Sequence, residues 1–217
     1  MTNDQIIQKT KDFLEAKFCN ETTGHDYWHM YRVWKLSKFI ASKEEGADMF
    51  TVELAALLHD IEDWKFNDDL EAGPQAARQW LESLGVKEKV IVHIEEIIRN
   101  ISFKGADVEI KLKTLEGKIV SDADKLDGMG AIGVGRVFTY SGAKGRLMHD
   151  PKLLPKKYAS PEEFKNNTSS AINHFYEKLL LLKDRMFTKT GKELAKHRHE
   201  YLEQFLKEFY AEWEGEC

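Results

Sequence analysis

Residues 53–66 read ELAALLHDIEDWKF, an apolar run that stops on His59-Asp60. Leu54, Ala55, Ala56, Leu57 and Leu58 leave almost no polar face at helical spacing, so a helix here is expected to be central and buried. A histidine and an aspartate closing such a helix are costly to bury unless they are paired, neutralised or metal-bound. The partial negative charge of a helix C-terminus also favours a cation beside them. The same dipeptide recurs as His25-Asp26 and His149-Asp150. Taken alone, each pair is explained as well by a helix cap or an ion pair, because a two-letter motif is weak.

The surrounding sequence has the same helical character. The segment ELAKHRHEYLEQFLKEFYAEW places Leu194, Tyr201, Leu202, Phe205, Leu206, Phe209 and Trp213 along one side, with charges opposite. Thr190-x-x-Glu193 reads as the capping box that starts it. Ser160-Pro161-Glu162-Glu163 reads as the start of a helix running through HFYEKLLLLKDRM. Residues 4–18, 27–43, 50–60, 73–84 and 87–101 are predicted as further helices, with Gly46 and Gly85 as stops. GKIVSDAD has the composition of a strand but stands isolated among helices, and taken together with KLDGMGAIG it also reads as helical. The expected class is all-α, a single domain over residues 1–217 with no internal repeat. Its core covers about residues 20–140, and residues 141–217 complete it with a loop and C-terminal helices.

Composition narrows the function classes. A chain of 217 residues, 42% hydrophobic with a formal net charge of −5, suits a globular domain and disfavours a broad nucleic-acid surface. Neither a membrane span nor a leader peptide is expected. Cys19 and Cys217 lie near opposite ends without ligand-like spacing, so a cytoplasmic setting is the default. A homo-oligomer is compatible with all of this.

Two further segments bear on His59-Asp60. In GHDYWHMYRVWKL, His25 and His29 are four apart and His29 and Arg32 three apart, so each pair shares a helix face. In GKIVSDADKLDGMGAIGVGR, Asp122, Asp124 and Asp127 crowd together and repel unless solvated or balanced by a cation. With His59-Asp60 these supply two imidazoles and two carboxylates on three helices. Gly128, Gly130 and Gly133 match the spacing of a dinucleotide loop, but no strand–helix–strand unit surrounds them. Small residues allowing close backbone approach explain them better.

The ordered blocks GHDYWHMYRV, AALLHDIEDWKF, SDADKLDGMGAIGVGRVFTYSG and the C-terminal HFYEKLLLLKDRMFTKTGKELAKHRHEYLEQFLKEFYAEW resemble the HD-domain superfamily of metal-dependent phosphohydrolases. They are closest to its small stand-alone bacterial branch, related to nucleotide pyrophosphohydrolases. Carried over position by position, the resemblance makes His29, His59, Asp60 and Asp124 the metal ligands. His29 precedes x-x-Arg-Val as in the family, and Asp124 directly precedes Lys125-Leu126. His25-Asp26 becomes a candidate beside the ligands or on the substrate side, and His149-Asp150 a loop pair. The resemblance also implies general-base or water-orienting roles for Glu62 and Asp63.

A mixed His/Asp set suits a first-row divalent ion, with Mn expected and Mg, Fe, Co, Ni and Zn as alternatives. Such an ion activates water and offsets charge on a phosphoryl oxygen. Arg32, Lys65, Lys125, Arg136, Lys144 and Arg146 are candidate phosphate ligands. Trp64 and Phe66 are candidates to stack on a base, whereas most other aromatics belong to the core. The expected activity is hydrolysis of a small phosphorylated molecule, a (deoxy)nucleoside triphosphate with pyrophosphate release. A phosphomonoesterase, a phosphodiesterase or a non-catalytic nucleotide sensor are the rivals. Di-iron oxygenase chemistry needs more histidines than the one spare, His93.

Overall fold

A computed structural model describes residues 1–24, 26–62, 71–101, 112–158, 163 and 168–216. Among them the regular structure is helical throughout, with no strand: α1 (Asn3–Lys17), α2 (Tyr27–Ala41), α3 (Met49–Leu58), α4 (Ala72–Ser83), α5 (Glu88–Ile101), α6 (Leu115–Asp127), α7 (Gly130–Ala143), α8 (Ala171–Glu177) and α9 (Lys189–Glu214). The chain is all-α, as its periodicity requires. The GKIVSDAD segment lies in α6 and is helix, not strand. The described residues fall into two compact units. One holds α1–α5 and α6 as far as Ala123, and the other holds the end of α6 with α7–α9.

The first unit is organised around α3, which packs against α1, α2 and α5. Val52 and Leu54 through Leu58 are all fully buried, which is the physical meaning of a helix without a polar face. Its neighbours each turn one stripe inward: Ile91, Ile94, Ile97, Ile98 and Ile101 from α5, and Met30, Val33 and Ile40 from α2. Local chemistry sets the helix starts. The Thr2 hydroxyl and the Gln5 side chain form a reciprocal capping box on α1, and Asp48 caps α3. Asp26 accepts the His29 amide at 2.9 Å and caps α2, so this member of the second His-Asp pair has a structural task. Gly85 turns the chain between α4 and α5 with φ +70°. Arg78 joins those helices, its Nε donating to Glu95 at 3.0 Å and its Nη1 to Glu88 at 3.0 Å.

In the second unit α9 packs on α7, and Phe138, Phe175 and Phe205 meet between α7, α8 and α9. Two expectations require correction here. The helix expected to run unbroken from Ser160 through HFYEKLLLLKDRM is interrupted: residues 168–170 are not helical, and within HFYEKLLLLKDRM the α-helix ends with α8 at Glu177. At Lys178 the backbone leaves helical geometry, and two short 3-10 turns come next, Leu179–Leu181 and Lys183–Arg185. A 3-10 turn aligns residues three apart, and Leu179 and Leu182 are accordingly both buried. The proposed start at residues 160–162 lies outside the described residues. Secondly, α9 is capped by Thr188, whose hydroxyl accepts the Gly191 amide at 2.9 Å, and not by the Thr190–Glu193 box. Thr188 is itself buried, and it takes the cap two residues earlier.

Truncating the central helix should be costly. Leu57→Ala is expected to lower unfolding free energy by about 2–5 kcal/mol in urea titrations, because a fully buried leucine leaves a cavity.

Candidate metal centre

Periodicity alone carries α3 to residue 60, but the helix closes at Leu58 and its end builds the centre. In a continuing helix the Ala56 carbonyl would receive the amide of Asp60. Here the His59 ring, on the capping residue, places Nδ1 2.8 Å from Ala56 O, and the Ile61 amide closes a tighter turn on Leu58 O at 3.1 Å. A carbonyl can only accept, so Nδ1 carries the proton and Nε2 presents its lone pair. Such a bond on the second ring nitrogen is how proteins fix a ligating histidine.

That lone pair points to a crowded place. His59 Nε2 lies 3.2 Å from His29 Nε2, on α2. Asp60 Oδ2 lies 3.4 Å from His29 Nε2 and 3.5 Å from His59 Nε2. His29 and His59 are buried, and Asp60 is partly so. Two ligand atoms on one ion, each bonded at about 2.1 Å, stand roughly 3.0 Å apart at a right angle and roughly 3.4 Å at the tetrahedral angle. The three observed separations match that spacing. Asp124 comes directly after the turns of α6 that belong to the first unit. His29, His59 and Asp124 each offer one ligand atom, all within 4.8 Å of one another. The donor set therefore fits a divalent ion with mixed nitrogen and oxygen ligands.

The chain is also similar to known proteins. The family model described as HD domain matches residues 27–129, the span from α2 to the end of α6. The Bacillus subtilis protein YpgQ is 35% identical over 93% of this chain and 90% of its own. The chain is a member of the HD superfamily. A crystal structure of an HD-superfamily hydrolase from Bacillus thuringiensis, 41% identical, covers 99% of this chain and 100% of its own with a TM-score of 0.75. A Lactobacillus plantarum structure, 34% identical, covers 98% of both chains with a TM-score of 0.86. YpgQ has also been solved in complex with ADP, at 33% identity, 99% coverage of both chains and a TM-score of 0.74. This HD protein is thus a metal-dependent hydrolase by family and by the donor set it carries.

The other residues singled out from the sequence have varied surroundings. Glu62, three positions after His59, is half-buried, and Lys17 Nζ meets its Oε1 at 2.6 Å. Gly73 allows this turn to sit close to α4, since a Cβ there would lie 3.0 Å from Glu62 O. Asp63 and Lys65 lie outside the described residues, as do Trp64, Phe66 and His25. Arg32 is half-buried one turn beyond His29. Lys125 is buried, its ammonium 4.6 Å over the Phe187 ring. Arg136 is ion-paired to Asp127 at 3.0 Å. Lys144 and Arg146 flank the Tyr140 ring at 5.9 and 5.5 Å. Their loop is pinned further on, where buried Glu177 accepts from the Lys156 amide at 3.1 Å and the Ser169 hydroxyl at 2.8 Å. Burial, and then Glu177, push the Tyr158 phenol up to about 12. His93 Nε2 is 3.0 Å from the Thr114 hydroxyl and 3.7 Å from Glu116, which places it at the start of α6 and away from the ligand triangle. Lys17 is not among the residues the sequence singles out, and only its position in the last turn of α1 could have drawn attention to it.

His149 has a different environment from His59. Its ring lies among Phe209, Tyr210 and Trp213, at 5.8, 5.6 and 4.7 Å between centroids, and so serves the packing of α9. His59→Ala, Asp60→Ala and Asp124→Ala should each purify with little divalent metal and lose turnover, with far-UV helicity nearly unchanged. His149→Ala should bind metal normally. Equal metal content in His59→Ala and His149→Ala would contradict the ligand assignment.

Proposed function

We propose that this HD protein hydrolyses a nucleoside triphosphate, attacking the α-phosphorus and releasing pyrophosphate. The observation that carries the reading is the convergence of His29, His59 and Asp60 at metal-ligand spacing, with Asp124 beside them. A divalent ion held by these four residues, with Mn expected, supplies Lewis-acid activation of water and offsets charge on a phosphoryl oxygen. The ADP complex of YpgQ supports a nucleotide ligand here. ADP, like the proposed substrate, is a nucleoside polyphosphate.

The chain's own groups divide the remaining work. A carboxylate must accept the proton of the attacking water, and the candidates are Asp63 and Glu62. One oxygen of Glu62 is engaged by Lys17, and in this reading Asp63 is the base and Glu62 the water-orienting group. Arg32 offers a guanidinium one turn from His29 for an oxygen of the substrate. Lys65 and Lys125 are further candidate cations, close to the ligand positions in sequence. Lys144 and Arg146 are the cations this reading assigns to the polyphosphate tail. Arg136, paired to Asp127, is less suited to a phosphate than its sequence position suggested.

Product analysis with a panel of nucleotides and added Mn tests the reading. Pyrophosphate and a monophosphate are expected from a triphosphate. Removing charge at Lys144 and Arg146 should raise KM more for triphosphates than for monophosphates. Orthophosphate as the sole first product would instead indicate a phosphomonoesterase, and nucleotide binding without turnover a sensor.

Asp63→Asn should keep its metal and lose on the order of a hundredfold to ten-thousandfold in kcat, the usual contribution of general-base assistance. Activity within a few fold of wild type, with a large loss in Glu62→Gln, would move the base role to Glu62.

A further inference from the structure

Beyond the ligands, α6 ends in an arrangement that is costly on its own terms. Asp127 is its last residue, and the carboxylate is buried. A negative group at a helix C-terminus opposes the helix dipole, and burial adds a desolvation cost. Two guanidiniums compensate. Arg136, from α7, meets Asp127 Oδ2 at 3.0 Å. Arg198, from α9, donates through Nη1 to the carbonyl of Leu126 and lies within electrostatic reach of Asp127. Leu126 O also receives the Met129 amide at 3.0 Å, so both lone pairs of that carbonyl are used. Burial works against the charge of Arg198, and Asp127 works for it.

The glycines of GMGAIG make room for this arrangement. Gly130 has φ +66°, and a Cβ on it would lie 3.2 Å from Arg198 Cγ. A Cβ on Gly133 would come within 2.3 Å of the Gly128 carbonyl, so the first turn of α7 passes the end of α6 only without a side chain. These are the glycines that imitate a dinucleotide loop. Their observed task is to let one arginine and one backbone turn close on the end of a helix.

That end carries Asp124 and Lys125, one turn before Asp127. The geometry points to Arg198, with Arg136 and Asp127, as a positioning group that fixes the last turn of α6 and so sets the placement of Asp124 for metal. This rests on Asp124 being a ligand. Arg198 acts through the Leu126 carbonyl and the Asp127 carboxylate.

The test measures Mn²⁺ binding to the intact chain by equilibrium dialysis, well below the melting temperature, with Mn²⁺ alone as the probe. Arg198→Met should weaken Mn²⁺ affinity on the order of tenfold to a hundredfold, as loss of a group that orients a ligand does elsewhere, with the saturating stoichiometry unchanged. Arg198→Lys, which keeps the charge but not the fork of donors, should fall between. If Arg198→Met does not fold, Arg198→Lys and Gly130→Ala carry the test, and both should weaken Mn²⁺ binding. Wild-type affinity in the folded variants, with only a lowered Tm, would overturn the proposal and leave Arg198 a purely structural arginine. Asp124→Asn separates the two levels. If it loses Mn²⁺ while the Arg198 variants do not, only the positioning role fails. If it binds Mn²⁺ as wild type does, the ligand assignment fails and the positioning role with it. Where both single variants weaken binding, the double variant should be less than additive, and full additivity would overturn the proposal.

Discussion

The hydrogen bond between His59 Nδ1 and Ala56 O decides how the end of α3 is used. It occupies a carbonyl at the helix end and fixes which ring nitrogen carries the proton. It thereby aims the other nitrogen at His29 and Asp60. An apolar helix without a partner for its last carbonyls would leave them unsatisfied in the core. The residue that satisfies one of them also presents a lone pair, so helix termination and ligand presentation are one event. The enclosure of α3 by α1, α2 and α5 then holds that geometry against thermal motion.

Much of this was legible in residues 53–60, because both the apolar run and the polar stop have direct physical meaning. A helix with no polar face must be buried, and buried His-Asp must have a partner. The class of the fold came from periodicity, as in the isoleucine stripe of α5. Choosing His29 and Asp124 within their segments was different. Spacing left His25 and Asp122 open, and only the resemblance to the HD superfamily ordered them. Asp26 had no local mark that separated a helix cap from a site residue, and its bond to the His29 amide appears only in three dimensions.

The features that stayed hidden in the sequence are mostly tertiary. Nothing in HFYEKLLLLKDRM announces the break at Lys178, since four consecutive leucines favour a helix. The chain instead takes short 3-10 turns that bury Leu179 and Leu182. The Thr190–Glu193 pattern was a sound capping signal, but Thr188 was better placed to be buried, and it took the role. Arg136 and Lys125 looked alike as basic residues near an acidic cluster. In the fold one neutralises a buried carboxylate and the other lies over an aromatic ring.

The full burial of Val52 and of Leu54 through Leu58 also bears on what holds the centre's frame together. The surroundings of α3 are apolar side chains that need no ion to cohere, unlike small domains that are unfolded until metal arrives. The core around α3 therefore coheres through apolar contacts rather than through an ion. Selection among competing ions then falls to the ligand types, to their geometry and to local supply.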